Sequence, residues 1–162
     1  MQAPQAAAWR WGEALPGRTG ERLCYIIAVK MDAAIYLAKA EQCLAGAELA
    51  VAYGQYNNAA NRAYYAAFQA AIAVLCAAGI QPPTPRYWAH DFVLREYCHQ
   101  QGAGASIWAP GSGAVLKALQ DERLKADYDI EPLGAASGRR ALALAREFVA
   151  AVRQRLGGER AW

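Results

Sequence analysis

β-Branched residues are scarce in this chain, and no stretch alternates apolar and polar side chains for the length of a strand. The usual raw material of sheets is therefore missing. The longest wholly apolar run falls far short of the roughly 20 residues that a membrane-spanning helix needs. Four cysteines, Cys24, Cys43, Cys76 and Cys98, show no C-x-x-C spacing, which argues against a zinc site and a disulfide framework and for free thiols in a reducing cytoplasm. Leu23–Val29 is short and apolar between Arg22 and Lys30, but no small-residue cleavage site follows it, so a secretion signal is not expected.

What is abundant is alanine. In 162 residues, 56% hydrophobic and 19% charged, there is enough apolar material for one compact helical domain. The net charge of +3 hides an asymmetry. Residues 1–30 carry four basic and two acidic groups, residues 31–138 seven and ten, and residues 139–162 six and two. A basic C-terminal segment suits phosphate or an acidic partner, as well as plain solvation of a helix face.

Punctuation along the chain divides it into five helices. Residues 1–30 read as a loose or partly ordered leader, rich in Ala, Pro, Gly and Arg without a sustained period. From Met31 to Tyr53, apolar residues at 33, 37, 40, 44, 47 and 51 keep a 4-3-4-3-4 rhythm, and Gly54 ends it. A short turn predicts an antiparallel second helix over 57–78, stopped by Gly79. Gln81-Pro-Pro-Thr-Pro85 cannot continue a helix. A third helix is expected over 87–100, then a Gly/Pro/Ser loop over 102–113, a fourth helix over 114–128, and a fifth over 135–156 with Ala141, Ala145, Phe148 and Val152 inward. The expected architecture is all-α, an antiparallel up-and-down bundle over 31–157 with a tail at 158–162.

Polar groups interrupt the second helix on one side. Asn58, Arg62, Tyr65 and Gln69 follow the i, i+4, i+7, i+11 series of a single helix face, with Asn61 beside them. On the fourth helix, Leu116 and Leu119 set the core direction, and Arg123 and Asp127 project within roughly 40° of it. Charges so placed need partners, because desolvating an unpaired ion costs several kcal/mol. The expectation is one inter-helix cluster of Asn58, Arg62, Tyr65, Arg123, Asp127 and Tyr128. It serves either to fix the packing of two helices or to hold a phosphate-bearing ligand.

These same residues carry a family likeness. Asn61-Arg-Ala-Tyr-Tyr-Ala66, His90, and Arg123-Leu-Lys-Ala-Asp-Tyr128 resemble, in order and spacing, the HEPN-domain proteins marked by an N-R-A-Y-Y-A block and an R-x-x-A-D-Y block, over about 31–155. The resemblance implies a small helical bundle, usually a homodimer, found in prokaryotic toxin–antitoxin and defence systems. Many relatives are metal-independent ribonucleases, and many are encoded beside a nucleotidyltransferase antitoxin. RNA, a nucleotide or such a nucleotidyltransferase are the implied partners, and no cofactor is implied. Active members have four to six residues between an Arg and the His that follows it. Here Arg86 and Arg95 each have three residues before His90 and His99, and Arg123 is followed by Asp127. Binding is therefore the leading expectation. Ribonuclease action with His90 and Arg123 as candidate catalytic residues is the alternative, and a purely structural helical adaptor is the third.

Other features are read against simpler explanations. His90, just after the proline-rich connector, either bonds to connector backbone or joins the polar cluster. Glu96-Tyr-Cys-His99 has the Glu-x-x-His step of di-iron bundles, but one step without its fellow ligands makes no such centre, and no metal is expected. Gly111-Ser-Gly113 can offer backbone N–H groups to an anion but lacks a P-loop lysine. Arg139, Arg146 and Arg153 repeat every seven residues and form one basic ridge, suited to solvent, RNA backbone or an acidic partner.

Overall fold

A computed structural model of the protein describes residues 19–85, 87–102 and 112–158. The first eighteen residues of the expected leader, the loop residues 103–111 and the tail from 159 lie outside them. Five helices follow in order: α1 (Thr19–Ala52), α2 (Tyr56–Ala77), α3 (His90–Gly102), α4 (Ser112–Tyr128) and α5 (Ala135–Gly158). Helix α1 begins twelve residues before Met31, so it runs back into the segment expected to be leader. Its 34 residues make a rod about 50 Å long.

Helix α2 is the axle of the bundle. It packs against each of the other four helices, and its buried face is paved with alanines from Ala59 to Ala73 before Val74 and Leu75. Small side chains let neighbouring helices come close and fill the interior without large voids. Gly54 (φ 70°) and Gly79 (φ 76°) take the left-handed conformation that ends α1 and α2. At each end a backbone N–H reaches back to a carbonyl five residues earlier, Gln55 to Ala50 (2.8 Å) and Ile80 to Leu75 (2.9 Å). The approach of α5 is close as well: a Cβ placed on Gly138 would lie 2.9 Å from the Tyr56 Cβ and 3.2 Å from its Cα.

The periodicity of α1 places its core face as expected. Ala33, Ala40 and Ala47 are buried, with Leu37, Leu44 and Val51 packed against the core. On α5, Ala141, Ala145, Phe148 and Val152 are likewise buried. Helices α1 and α5 run antiparallel, since Glu41 pairs with Arg153 (3.7 Å) while Glu48 pairs with Arg146 (2.9 Å). Asn57 ties three elements together. Its Nδ2 donates to the Ala126 carbonyl of α4 (3.1 Å), and its Oδ1 accepts from the Leu133 N–H in the α4–α5 connection (2.8 Å). Helix α3 is held by its buried Tyr97, whose hydroxyl bonds to that of Ser112 at 3.0 Å. Glu122, also buried, receives Arg140 of α5 at 2.9 Å and Lys125 at 3.2 Å.

Among the described residues, one face of α1 is left without cover. Met31, Ile35, Leu49 and Tyr53 are 60%, 50%, 62% and 78% exposed. Among the described residues no helix is long and apolar enough to cross a membrane.

Candidate functional site

The polar stripe of α2 is not a buried seam. Asn58 and Arg62 are exposed, Tyr65 and Gln69 half-buried, and on an ideal wheel the four lie within roughly 60° of arc. They form a strip of surface with α1 on one side and α4 on the other. The two neighbours Asn61 and Arg62, about 100° apart on the helix, lean to opposite sides of it.

Asn61, rather than Arg62, is the residue that meets the fourth helix. Its Nδ2 donates to Asp127 Oδ1 at 2.9 Å, while Asp127 Oδ2 stands 2.7 Å from Arg123 Nε. That N–H is not aimed at the oxygen, since Nε is buried without an aligned hydrogen bond, so the contact is an ion pair. Both side chains are about a quarter exposed or less, 21% for Arg123 and 27% for Asp127. The inward placement expected for both is met only in part: Arg123 is half-buried, whereas Asp127 is an exposed residue at the edge of the bundle.

Arg62 takes the other side. Its aliphatic chain lies over Gly46 of α1, with Cδ 3.6 Å from where a glycine Cβ would stand, and its guanidinium interacts with the Cys43 thiol. Burial pushes that thiol's pKa up, and Arg62 partly offsets the shift. With Asn58, Gln55, Leu49, Ala50 and Tyr53 it lines a surface groove of about 310 Å³. Arg62 makes no ion pair among the described residues. Asn58 bonds locally, to Gln55 (3.1 Å). The expected single cluster thus divides: Arg62 and Asn58 face α1, Arg123 and Asp127 face Asn61. Tyr128, 74% exposed, stands outside both.

His90 stands where the strip meets α3. Its Nδ1 lies 2.6 Å from the Tyr64 hydroxyl, its ring stacks on Phe68 with centroids 4.5 Å apart, and Tyr65 meets it edge-on at 5.9 Å. The bond to connector backbone expected for it gives way to a phenol from α2. Burial, and then the charge of Arg123, hold the imidazole pKa below its ordinary 6.5, against an opposing pull from Asp91. Tyr64 is pushed well above the usual phenol range by burial and by Tyr65, with Arg123 pulling the other way. At neutral pH this is a neutral imidazole beside a neutral phenol, with a guanidinium close enough to act on both. A neutral imidazole can take a proton and a guanidinium can hold a phosphate.

The family model of the HEPN domain matches residues 33–155. The chain belongs to the HEPN-domain family. Among curated proteins none matches it. The HEPN domain spans all five helices, and the two sequence blocks, at 61–66 and 123–128, meet through Asn61 and Asp127.

The remaining candidates in this HEPN domain sort by their partners. Arg146 and Arg153 of the basic ridge are engaged by Glu48 and Glu41 of α1, leaving Arg139 exposed. Glu96 is paired with Arg95 at 3.7 Å, and His99 is exposed on α3. No group of three or more His, Cys, Asp or Glu able to hold a metal ion occurs among the described residues. Gly111 lies outside the described residues, and Ser112 and Gly113 are buried in the first turn of α4. Tyr64, Phe68 and Asn57 were not singled out by pattern, because their roles depend on which distant segment arrives opposite them. The one available signal was position: an aromatic pair preceded by asparagines inside an alanine helix.

Proposed function

We propose that this HEPN-domain protein binds RNA along the polar strip of α2. In this reading Arg62 and Arg123 contact phosphate, Asn58 and Asn61 offer amide hydrogen bonds, and the rings of Tyr65 and His90 supply surfaces on which a base stacks. The observation that carries the reading is Arg62: an exposed guanidinium, without a carboxylate partner among the described residues, set in a groove with Tyr53, Gln55 and Asn58. Arg140, Arg146 and Arg153 have carboxylates beside them, and Arg139, also exposed, does not line the groove. The prokaryotic toxin–antitoxin or defence setting and the nucleotidyltransferase partner implied by the resemblance belong to the same proposal.

Fluorescence anisotropy with a labelled single-stranded RNA tests it. Arg62→Ala is expected to weaken binding roughly tenfold and to reduce the slope of log affinity against log salt by about 0.7, the loss of one phosphate contact on a single strand. Equal affinity of wild type and the Arg62→Ala, Arg123→Ala double variant would sink it.

A second reading is a metal-independent ribonuclease, favoured by the neutral His90 held at Nδ1 and lying within the field of Arg123. Cleavage of RNA in the presence of a chelator, abolished by His90→Ala in folded protein, decides for it. Intact RNA with retained binding decides for the binding protein.

A further inference from the structure

Hydrogens can be counted where α2 meets the start of α3. Tyr64 is 2% exposed, and its hydroxyl has one hydrogen-bond partner among the described residues, Nδ1 of His90 at 2.6 Å. Two arrangements of hydrogens fit that contact. In one, the phenol donates to a bare Nδ1 and the imidazole carries its hydrogen on Nε2. In the other, Nδ1–H donates to the phenol oxygen, and the phenol's own hydrogen is buried with nothing to receive it. A buried donor without an acceptor is a costly defect. Asp91 and Arg123 act on the pair through their charges alone, and Tyr65 and Phe68 present rings to it, so none of them takes that hydrogen. The first arrangement satisfies every group. Burial keeps the phenol protonated, so it has a hydrogen to give.

We infer that Tyr64 is a positioning residue that fixes His90 with its hydrogen on Nε2, so that His90 offers the polar strip a hydrogen-bond donor and not a base. Which nitrogen of a histidine is protonated is set by the bond that the other one makes. Nε2, on the far side of this half-buried ring, makes no hydrogen bond among the described residues and is the atom left for a ligand. Arg123, whose charge reaches the ring, is likewise a donor with no capacity to accept. Two donors suit a group that only accepts, and on single-stranded RNA that group is a phosphodiester oxygen. A 2′-hydroxyl has a hydrogen to lose, but Nε2 in this form has no lone pair to take it. A ribonuclease with His90 as general base would need the other tautomer. The ligand assigned to Nε2 rests on the RNA-binding reading; the tautomer does not.

The nitrogen-15 spectrum of the free full-length protein, recorded at about pH 8, above the ordinary imidazole pKa, tests the tautomer without RNA. Nε2 of His90 is expected in the pyrrole-type region and Nδ1 in the pyridine-type region. Tyr64→Phe, which keeps the ring, is expected to pull both shifts toward those of a histidine exchanging between tautomers. His99, exposed on α3, gives that reference within the same spectrum.

Anisotropy with labelled single-stranded RNA then compares two substitutions whose circular dichroism is unchanged. His90→Gln keeps an acceptor for Tyr64 and an outward N–H, whereas His90→Asn, one carbon shorter, keeps only the first. His90→Gln is expected to bind roughly tenfold tighter than His90→Asn, the effect of one hydrogen bond to a charged group. A pyrrole-type Nδ1, or shifts that Tyr64→Phe leaves unmoved, would overturn the tautomer, and equal, measurable binding by the two His90 variants would overturn the donor role. A wild type that binds no RNA while its Nε2 is pyrrole-type would overturn the RNA-binding reading and leave the role of Tyr64 standing.

Discussion

The hydroxyl of Tyr64 and Nδ1 of His90 are 2.6 Å apart, joining the axle helix to the first residue of α3. Because the imidazole's pKa is lowered, by burial first and by Arg123 second, this contact makes stability depend on pH. The unfolded chain takes up a proton at this histidine near 6.5, before the folded one does. The stability it contributes is fully present above that value and falls as the pH drops through the window beneath it. Urea unfolding midpoints on either side of pH 6.5 should show a fall for wild type that His90→Gln reduces. Equal pH dependence in the two proteins would contradict the assignment.

Removing only the phenol oxygen separates the hydrogen bond from ring packing. Tyr64→Phe keeps the stacked rings of Phe68 and His90 and leaves Nδ1 without its partner, a loss of about 1–2 kcal/mol in chemical denaturation. The same variant should move the His90 titration followed by NMR.

Asn57 is a more demanding position than its place beside the polar stripe suggests. It bonds two backbone groups 69 and 76 residues away, and Asn57→Ala strips both at once. An expected loss of about 2–3 kcal/mol follows if both backbone groups go unsatisfied. Asn57→Asp should recover part of it, since a carboxylate still accepts from Leu133 N–H but repels the Ala126 carbonyl. Comparing the two by thermal denaturation checks the geometry.

Gly138→Ala tests the close approach of α5 to the start of α2. Alanine favours the helix over glycine by about 1 kcal/mol, yet its methyl would stand 2.9 Å from the Tyr56 Cβ. Overpacking against a main-chain neighbour costs about 1–3 kcal/mol, so the net expected change is destabilising by roughly 1 kcal/mol. Tyr56→Ala should rescue it only in part, because it removes the ring Cδ1 at 2.9 Å but leaves the Cβ and Cα in place.

The helices were legible because apolar spacing and helix stops agree. Gly54, Gly79 and Gln81-Pro-Pro-Thr-Pro85 end α1 and α2 within a residue or two of where the chain turns. Periodicity pointed Arg123 and Asp127 inward, yet the structure holds Arg123 half-buried and Asp127 at the exposed edge, where the i, i+4 pair meets a third residue. Periodicity could not say which of two adjacent residues, Asn61 or Arg62, would supply that third group. A wheel gives angles relative to its own axis, whereas the neighbours on either side of α2 are set by tertiary packing. The same gap hid Tyr64 as the partner of His90, which depends on how the connector returns α3 across α2. The early start of α1 was masked by the absence of a regular apolar period before Met31.

Every outer helix leans on α2. Peeling any one of them away would therefore uncover the same alanine-lined surface and weaken the footing of the rest. Such a molecule is expected to lose its structure in a single step. Its amide protons in the middle of that rod, from Ala66 to Leu75, should be the last to exchange with deuterium, at a rate set by opening of the whole bundle.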